Sequence, residues 1–243
     1  MSLFTISDLH LSTHEQTNKS MEVFGKRWEN YMQRLEKNWR AVVTEKDTVV
    51  IPGDISWAID LNEALSDLKF IDSLPGKKIF GKGNHDFWWT TMSKHRAFFE
   101  ANDIHTISFL FNNFHETDEF LIAGTRGWYL EPDAMKSVTP VDFQKIIARE
   151  VGRLKTSLEA AKARQAAVPK KEILVFLHFP PYWNEKCTPG IYDLLKDYAI
   201  KEIYFGHIHN NYNIPPITEN EGMRFHIVSA DYLDFLPKII KIR

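Results

Sequence analysis

Apolar residues along the chain fall into two alternating patterns. Short β-branched runs are separated by longer stretches in which apolar positions return every three or four residues, the repeat of βαβ units. Leu3 to Ser7, Thr48 to Ile51 and Lys78 to Phe80 read as the first three strands. Lys26 to Thr44 and Leu61 to Ser73 are the helices between them, the second closed by Pro75-Gly76. Further strands are predicted at His105 to Phe109, Glu119 to Ala123, Ile173 to Leu177, Glu202 to Phe205, Phe225 to Ser229 and Lys238 to Ile242. The last two, with the 105 to 123 pair, suggest hairpin-like antiparallel edges. Pro140 to Ala167, rich in Ala, Lys, Glu, Arg and Gln and ended by Pro169, is a strong helix. Thr13 to Arg27 is polar and aperiodic, a long loop directly after the first strand, and loops of that length in compact chains are often functional.

With 243 residues, 44% of them hydrophobic, the chain can bury its core as one α/β domain spanning residues 1–243. Thirty Lys and Arg against 32 Asp and Glu leave a formal charge of -2, so no global field draws the protein to a polyanion. The single cysteine, Cys187, cannot form an internal disulfide, and the N-terminus carries no basic region followed by a long apolar stretch. No apolar run approaches the roughly 20 residues that cross a bilayer. These features predict a soluble, cytoplasmic protein without a membrane partner, with Cys187 an incidental thiol.

Five polar clusters each follow immediately after an apolar strand: Asp8-Leu9-His10, Gly53-Asp54, Gly83-Asn84-His85-Asp86, His178, and Gly206-His207-Ile208-His209. In open α/β sheets ligands bind outside the carboxyl ends of strands, so clusters far apart in sequence are expected to converge. The donors are carboxylate, imidazole and amide without thiolate, a set that suits manganese, iron or zinc. Residues two apart on an extended segment point the same way, so Asp8 with His10, and His207 with His209, can each reach one ion. Gly53, Gly83 and Gly206 stand where tight turns or close backbone approach are needed. Each cluster alone reads more readily as a turn or a hydrogen-bonded histidine. Five of them, in one order, are hard to obtain as unrelated turns.

This ordered set resembles the signature of the calcineurin-like metallophosphoesterases, and the resemblance runs from Asp8 to His209 with every metal-ligand position filled. It implies a four-layer α/β/β/α sandwich with two mixed β-sheets, and a dinuclear centre of two divalent metal ions. One would be held by Asp8, His10, Asp54 and His209, the other by Asp54, Asn84, His178 and His207, with Asp54 shared. Two such cations neutralise phosphoryl oxygens and lower the pKa of a shared water from about 15.7 to about 7, and that water attacks phosphorus. His85 matches the family's non-ligand histidine, which stabilises the transition state or protonates the leaving group. Asp86 would orient His85 or support the ligands.

Where protein Ser/Thr phosphatases of the family continue Gly-Asp as Gly-Asp-x-x-Asp-Arg, this chain reads Gly53-Asp54-Ile55-Ser56-Trp57-Ala58. That disfavours a protein phosphatase and leaves open what orients His85. Arg126, after a predicted strand, is the candidate for gripping phosphate, and equally a structural arginine. Trp57, Trp88, Trp89 and Trp183 all lie close to the motifs. They suggest either packing beneath the site or an aromatic rim, with Trp57 and Trp88 stacking on a flat substrate group. The leading expectation is a hydrolase of small phosphomonoesters or phosphodiesters, with nucleotides among the candidates by virtue of that rim. A nuclease and a non-catalytic scaffold are the alternatives, the scaffold disfavoured because the ligand set is complete.

Overall fold

The computed structural model describes residues 1–14, 19–130 and 139–240. The described chain divides into two compact units, Met1–Phe109 with Val228–Arg243, and Leu110–Ile227.

In the first unit the strands are β1 (Leu3–Thr5), β2 (Thr48–Ile51), β3 (Lys77–Phe80), β4 (Ile107–Phe109) and β13 (Lys238–Ile240). They form one sheet in the order β13-β1-β2-β3-β4, in which β1 to β4 run parallel and β13 is antiparallel to β1. Parallel neighbours need crossover helices. These are α1 (Tyr31–Val42), α2 (Leu61–Asp72) and α3 (Met92–Ala101). Asp60 starts α2 by accepting from the Asn62 and Glu63 N–H groups. Ala64, Leu68 and Ile71 then turn inward at helical spacing. Thr91 caps α3 through the Lys94 N–H, and this helix was not anticipated from sequence. Trp28, Leu35, Trp39, Val49, Ile51, Leu68, Phe80 and Phe235 fill the core of the unit. In the polar stretch after β1, the described part of Thr13 to Arg27 includes short 3-10 turns at Met21–Phe24 and Lys26–Trp28, so the predicted start of α1 at Lys26 moves to Tyr31. Residues 15–18 of that loop, and the predicted strand end at Ile242, lie outside the described residues.

The second unit carries a six-stranded sheet in the order β11-β12-β10-β7-β6-β5. Its strands are β5 (His115–Glu116), β6 (Phe120–Thr125), β7 (Glu172–Leu177), β10 (Glu202–Phe205), β11 (Ile217–Asn220) and β12 (Met223–Ile227). β8 (Tyr182–Trp183) and β9 (Lys186–Cys187) form a separate hairpin, and α4 (Pro140–Ala167) and α5 (Ile191–Asp197) complete the unit. The expected antiparallel edges are only partly present. β4 and β6 are not a hairpin, because they belong to different sheets, and β6 instead pairs antiparallel with the short β5. β12 runs parallel to β10 and takes its antiparallel partner, β11, on the other side. α4 packs on β6, where a Cβ at Gly124 would lie 2.1 Å from the Phe176 carbonyl oxygen, and the Gly124 N–H donates to Ser157 Oγ of the helix. Mixed α/β architecture with two mixed sheets is thus the class the resemblance implies.

Candidate metal centre

In the first unit the parallel register of β1, β2 and β3 sets three loops side by side at one carboxyl edge. The chain beyond β1 continues alongside the chain beyond β2: Asp8, His10 and Leu11 donate N–H bonds to the carbonyls of Gly53, Asp54 and Ile55, and Trp57 returns one to Leu11. Asp8 (φ 59°), His10 (φ 46°) and Asp54 (φ 51°) all adopt left-handed backbone conformations. Asp8-Leu9-His10 is therefore not the extended segment its spacing suggested, since alternate residues are turned to positive φ while Leu9 stays fully buried. Strained backbone of this kind persists where surrounding contacts enforce it, and it clusters at functional sites.

The result is a concentrated donor set. Asp8, His10 and Asp54 are at most 2% exposed. Donor atoms of Asp8 and His10, and of Asp8 and Asp54, lie within 4.8 Å of one another, and His10 Nε2 is 3.7 Å from Asp54 Oδ2. Two buried carboxylates so close repel each other and are costly to desolvate, a cost that a bound cation offsets. The residues present therefore fit a divalent ion. Asn84 and His85 are half-buried on the loop after β3. The His85 N–H donates to Asp54 Oδ1 at 2.8 Å, which ties that loop to the carboxylate.

Asp86 holds the loops together from beneath. Its Oδ2 accepts from the N–H groups of Asp54 (2.9 Å) and Gly83 (2.7 Å), and its Oδ1 from Ile55 (2.9 Å), Ser56 (3.4 Å) and the Trp88 indole (3.0 Å). Burial pushes its carboxyl above the usual carboxylate range, against the pull of these donors. These bonds tie the loop after β2 to the loop after β3. The glycines act as the sequence suggested at two positions. A Cβ on Gly53 would meet the Gly83 nitrogen at 2.5 Å, and one on Gly83 would meet Asp54 Oδ1 at 2.0 Å.

Trp57 lies against both histidines. Its ring stacks on His10 (centroids 4.9 Å apart, 23°) and is tilted 4.2 Å from His85. Lys19 Nζ sits 5.1 Å over the same indole, whose Nε1 donates to Met21 Sδ. Trp57 thus stands at the position of the second Asp in Gly-Asp-x-x-Asp-Arg, packed against the His85 ring. Trp88 is removed from the proposed rim: it is 1% exposed, and a buried indole offers no face to a substrate. Sequence reasoning missed Tyr31, whose hydroxyl donates to the His10 carbonyl, and Asp67, which accepts from Thr13 and the Ser56 hydroxyl and so joins the first two loops. The helical spacing of Asp67 with buried Ala64 and Leu68 was the signal available.

In the second unit β6, β7 and β10 are parallel and in register, so their ends bring Arg126, His178 and His207 to one edge. His178 is fully buried, and its N–H donates to the Arg126 carbonyl. The His178 carbonyl accepts from Gly206, and His207 (φ 69°) follows with its ring 5.2 Å from that of His178. Phe179 at 4.4 Å and Tyr129 at 5.4 Å pack on His207. His209 is half-buried. The Arg126 guanidinium lies over Trp128 (4.4 Å) and 3.7 Å from Glu150 Oε1, a buried carboxylate that also takes Arg153 and the Thr125 hydroxyl. Arg126 shares that one carboxylate with Arg153, which sits closer to it, so the contacts leave both the phosphate-gripping and the structural reading of Arg126 open.

The family model for calcineurin-like phosphoesterases matches residues 1–211. The chain belongs to the calcineurin-like phosphoesterase family. Membership makes it a metal-dependent hydrolase of phosphoester bonds. Solved structures with the same fold include the phosphopantetheinyl hydrolase of Mycobacterium tuberculosis, with 16% identity, 100% of this chain and 96% of that one covered, and a TM-score of 0.54. Another is the protein TT1561 of Thermus thermophilus, with 8% identity, 99% and 98% coverage and a TM-score of 0.53. At these identities the likeness speaks for the fold alone. No curated protein matches the chain. Among the described residues no helix is long and apolar enough to cross a membrane.

Proposed function

We propose that this phosphoesterase hydrolyses small phosphomonoesters or phosphodiesters with the support of two divalent ions, manganese, iron or zinc, and that residues 1–243 act as one functional domain. The observation that carries the reading is the buried Asp8, His10 and Asp54 set with His85 tied to the same carboxylate. The order of the family's motifs assigns Asp8, His10, Asp54 and His209 to one ion and Asp54, Asn84, His178 and His207 to the other. When bound, the ions supply charge neutralisation at the phosphoryl oxygens and an acidified water.

The protein's own groups do the rest. His85, steadied by Trp57 and by its N–H bond to Asp54, gives its imidazole proton to the leaving oxygen and regains one from solvent. Asp86 fixes where the Asp54 and Asn84 loops stand. The near-neutral charge supports a small substrate over nucleic acid.

The test is a manganese-supplemented screen of p-nitrophenyl phosphate, its bis ester, cyclic nucleotides and single-stranded oligonucleotides, repeated after chelation. Turnover of small esters that stops with the chelator is the expected result. Salt-sensitive cutting of oligonucleotides in preference to the small esters would turn the assignment to a nuclease. No turnover with any divalent ion would defeat the catalytic reading.

A further inference from the structure

The β8–β9 hairpin has no counterpart in the metal-site motifs. Its two-residue loop, Asn184 (φ 49°) and Glu185 (φ 63°), keeps both residues left-handed, the type I′ geometry whose twist suits a tight hairpin. Register then sets Trp183 opposite Lys186. The base is tied down, because Thr188 donates its N–H to the Pro181 carbonyl at 2.9 Å and its hydroxyl to that of Pro180. Behind Trp183 the Phe205 ring stands edge-on at 6.0 Å. The hairpin is a braced arm presenting an indole and an ammonium.

Between this arm and the His207 turn lies a cleft of about 260 Å³ whose lining includes Tyr129, Trp183, Lys186 and His207. We propose that this cleft receives the organic part of the phosphoester and selects a flat aromatic group bearing a hydrogen-bond acceptor at its edge. The half-buried rings of Tyr129 and Trp183 favour a ring, since π-faces stack and place edges against faces. The exposed Lys186 ammonium, a three-donor group, can reach an acceptor on the ring's rim beside its other contacts. A volume just below the roughly 300–1,000 Å³ of pockets for drug-sized ligands suits one ring system. His207, which lines the cleft and is proposed above to hold an ion, sets the direction, with the ester oxygen toward the histidine and the ring toward the hairpin. The inference rests on the phosphoesterase reading above, through His207. It also moves the aromatic rim away from Trp88, to a hairpin in the second unit.

The test compares 1-naphthyl phosphate with ethyl phosphate as substrates, and 1-naphthylphosphonate with methylphosphonate as calorimetric ligands of the manganese-loaded protein. Loss of one stacked ring sets the scale at about tenfold. In Trp183→Ala the ratio of kcat/KM for naphthyl over ethyl phosphate should fall about tenfold, and the Kd for naphthylphosphonate should rise by a similar factor. Trp183→Phe, which keeps a ring and the hairpin's packing, should retain most of the preference. Lys186→Met should weaken a hydroxynaphthyl phosphonate more than the unsubstituted one. A naphthyl-to-ethyl ratio and a naphthylphosphonate Kd within twofold of wild type in Trp183→Ala would overturn the cleft assignment while leaving the phosphoesterase reading in place. Absence of all turnover, with naphthylphosphonate binding still lost in Trp183→Ala, would do the reverse.

Discussion

Replacing Gly83 by alanine should disable the enzyme while leaving it folded. The new Cβ would stand 2.0 Å from Asp54 Oδ1, 2.3 Å from the Asp54 nitrogen and 2.7 Å from its Cγ. Ordinary contact begins at 3.4 Å, so the carboxylate must retreat by about 1.4 Å, the difference between the two distances. Backbone lies on both sides, because Asp54 N–H and Gly83 N–H are bonded to the same Asp86 oxygen. Relief by rotation of a loose side chain is therefore closed off. A 1 Å misplacement of a catalytic group costs about 100-fold in rate, or about 2.7 kcal/mol of transition-state stabilisation. Overpacking costs about 1–3 kcal/mol of stability. The matched control is Gly152→Ala in α4, where nothing lies within 4 Å of the new methyl; it should stabilise by about 0.5–1 kcal/mol and leave turnover alone. Steady-state turnover of p-nitrophenyl phosphate with manganese, beside urea denaturation, reads both quantities. A folded Gly83→Ala protein within threefold of wild-type kcat/KM would refute the close-approach reasoning.

Other outcomes follow from the same contacts. Asp86→Asn exchanges an acceptor oxygen for a donor facing main-chain N–H groups, and should cost about 3 kcal/mol in urea unfolding and weaken manganese binding in calorimetry. Trp57→Ala removes the ring against His10 and His85 and should lower kcat about tenfold with little change in KM; Trp57→Phe should recover part of it. His95 is caged by Trp88, Trp89, Phe99 and Phe109, and burial, with Lys82 nearby, lowers its imidazole to about 4. The unfolded chain takes up that proton near pH 6.5 and the folded one only near pH 4. The contribution to stability is therefore full above pH 6.5 and is lost, up to about 3 kcal/mol, as pH falls toward 4. His95→Phe should flatten that slope in denaturation curves measured from about pH 7.5 to 4.5.

Much of the fold was legible because local signals agreed with tertiary demand. The predicted helix from Pro140 to Ala167 has those ends in the structure, since Thr139 caps it, Pro140 suits a first helical position and Asp142 complements the N-terminus. Strands β2 and β10, buried on every residue, each carry three consecutive apolar or aromatic residues after a polar first one and have the predicted limits. Short elements were missed. α3 mixes Ser, Lys, His, Arg and Phe without a clean stripe, and β5, β8 and β9 have two residues each, too few for periodicity. Strand partnership was legible only in part: the βαβ repeat anticipates parallel β1, β2 and β3, but Ile107–Phe109 and Phe120–Thr125, which look like a hairpin in sequence, join different sheets. At the site, residue types and order singled out Asp8, His10 and Asp54, which the structure places close together, whereas their left-handed backbone was invisible. Asp and His rarely adopt it unless a fold imposes it. The contacts of Trp57 and the cleft beside His207 are long-range packing, which spacing alone does not encode.

The most direct test of the metal centre is anomalous diffraction from crystals grown with manganese, recorded beside a crystal of Asp54→Asn. The proposed assignment expects two anomalous peaks in the wild type, both with Asp54 oxygen among their ligands, and the loss of at least one in the variant. A single peak lacking Asp54, or no peak near Asp8 and His10, would contradict it.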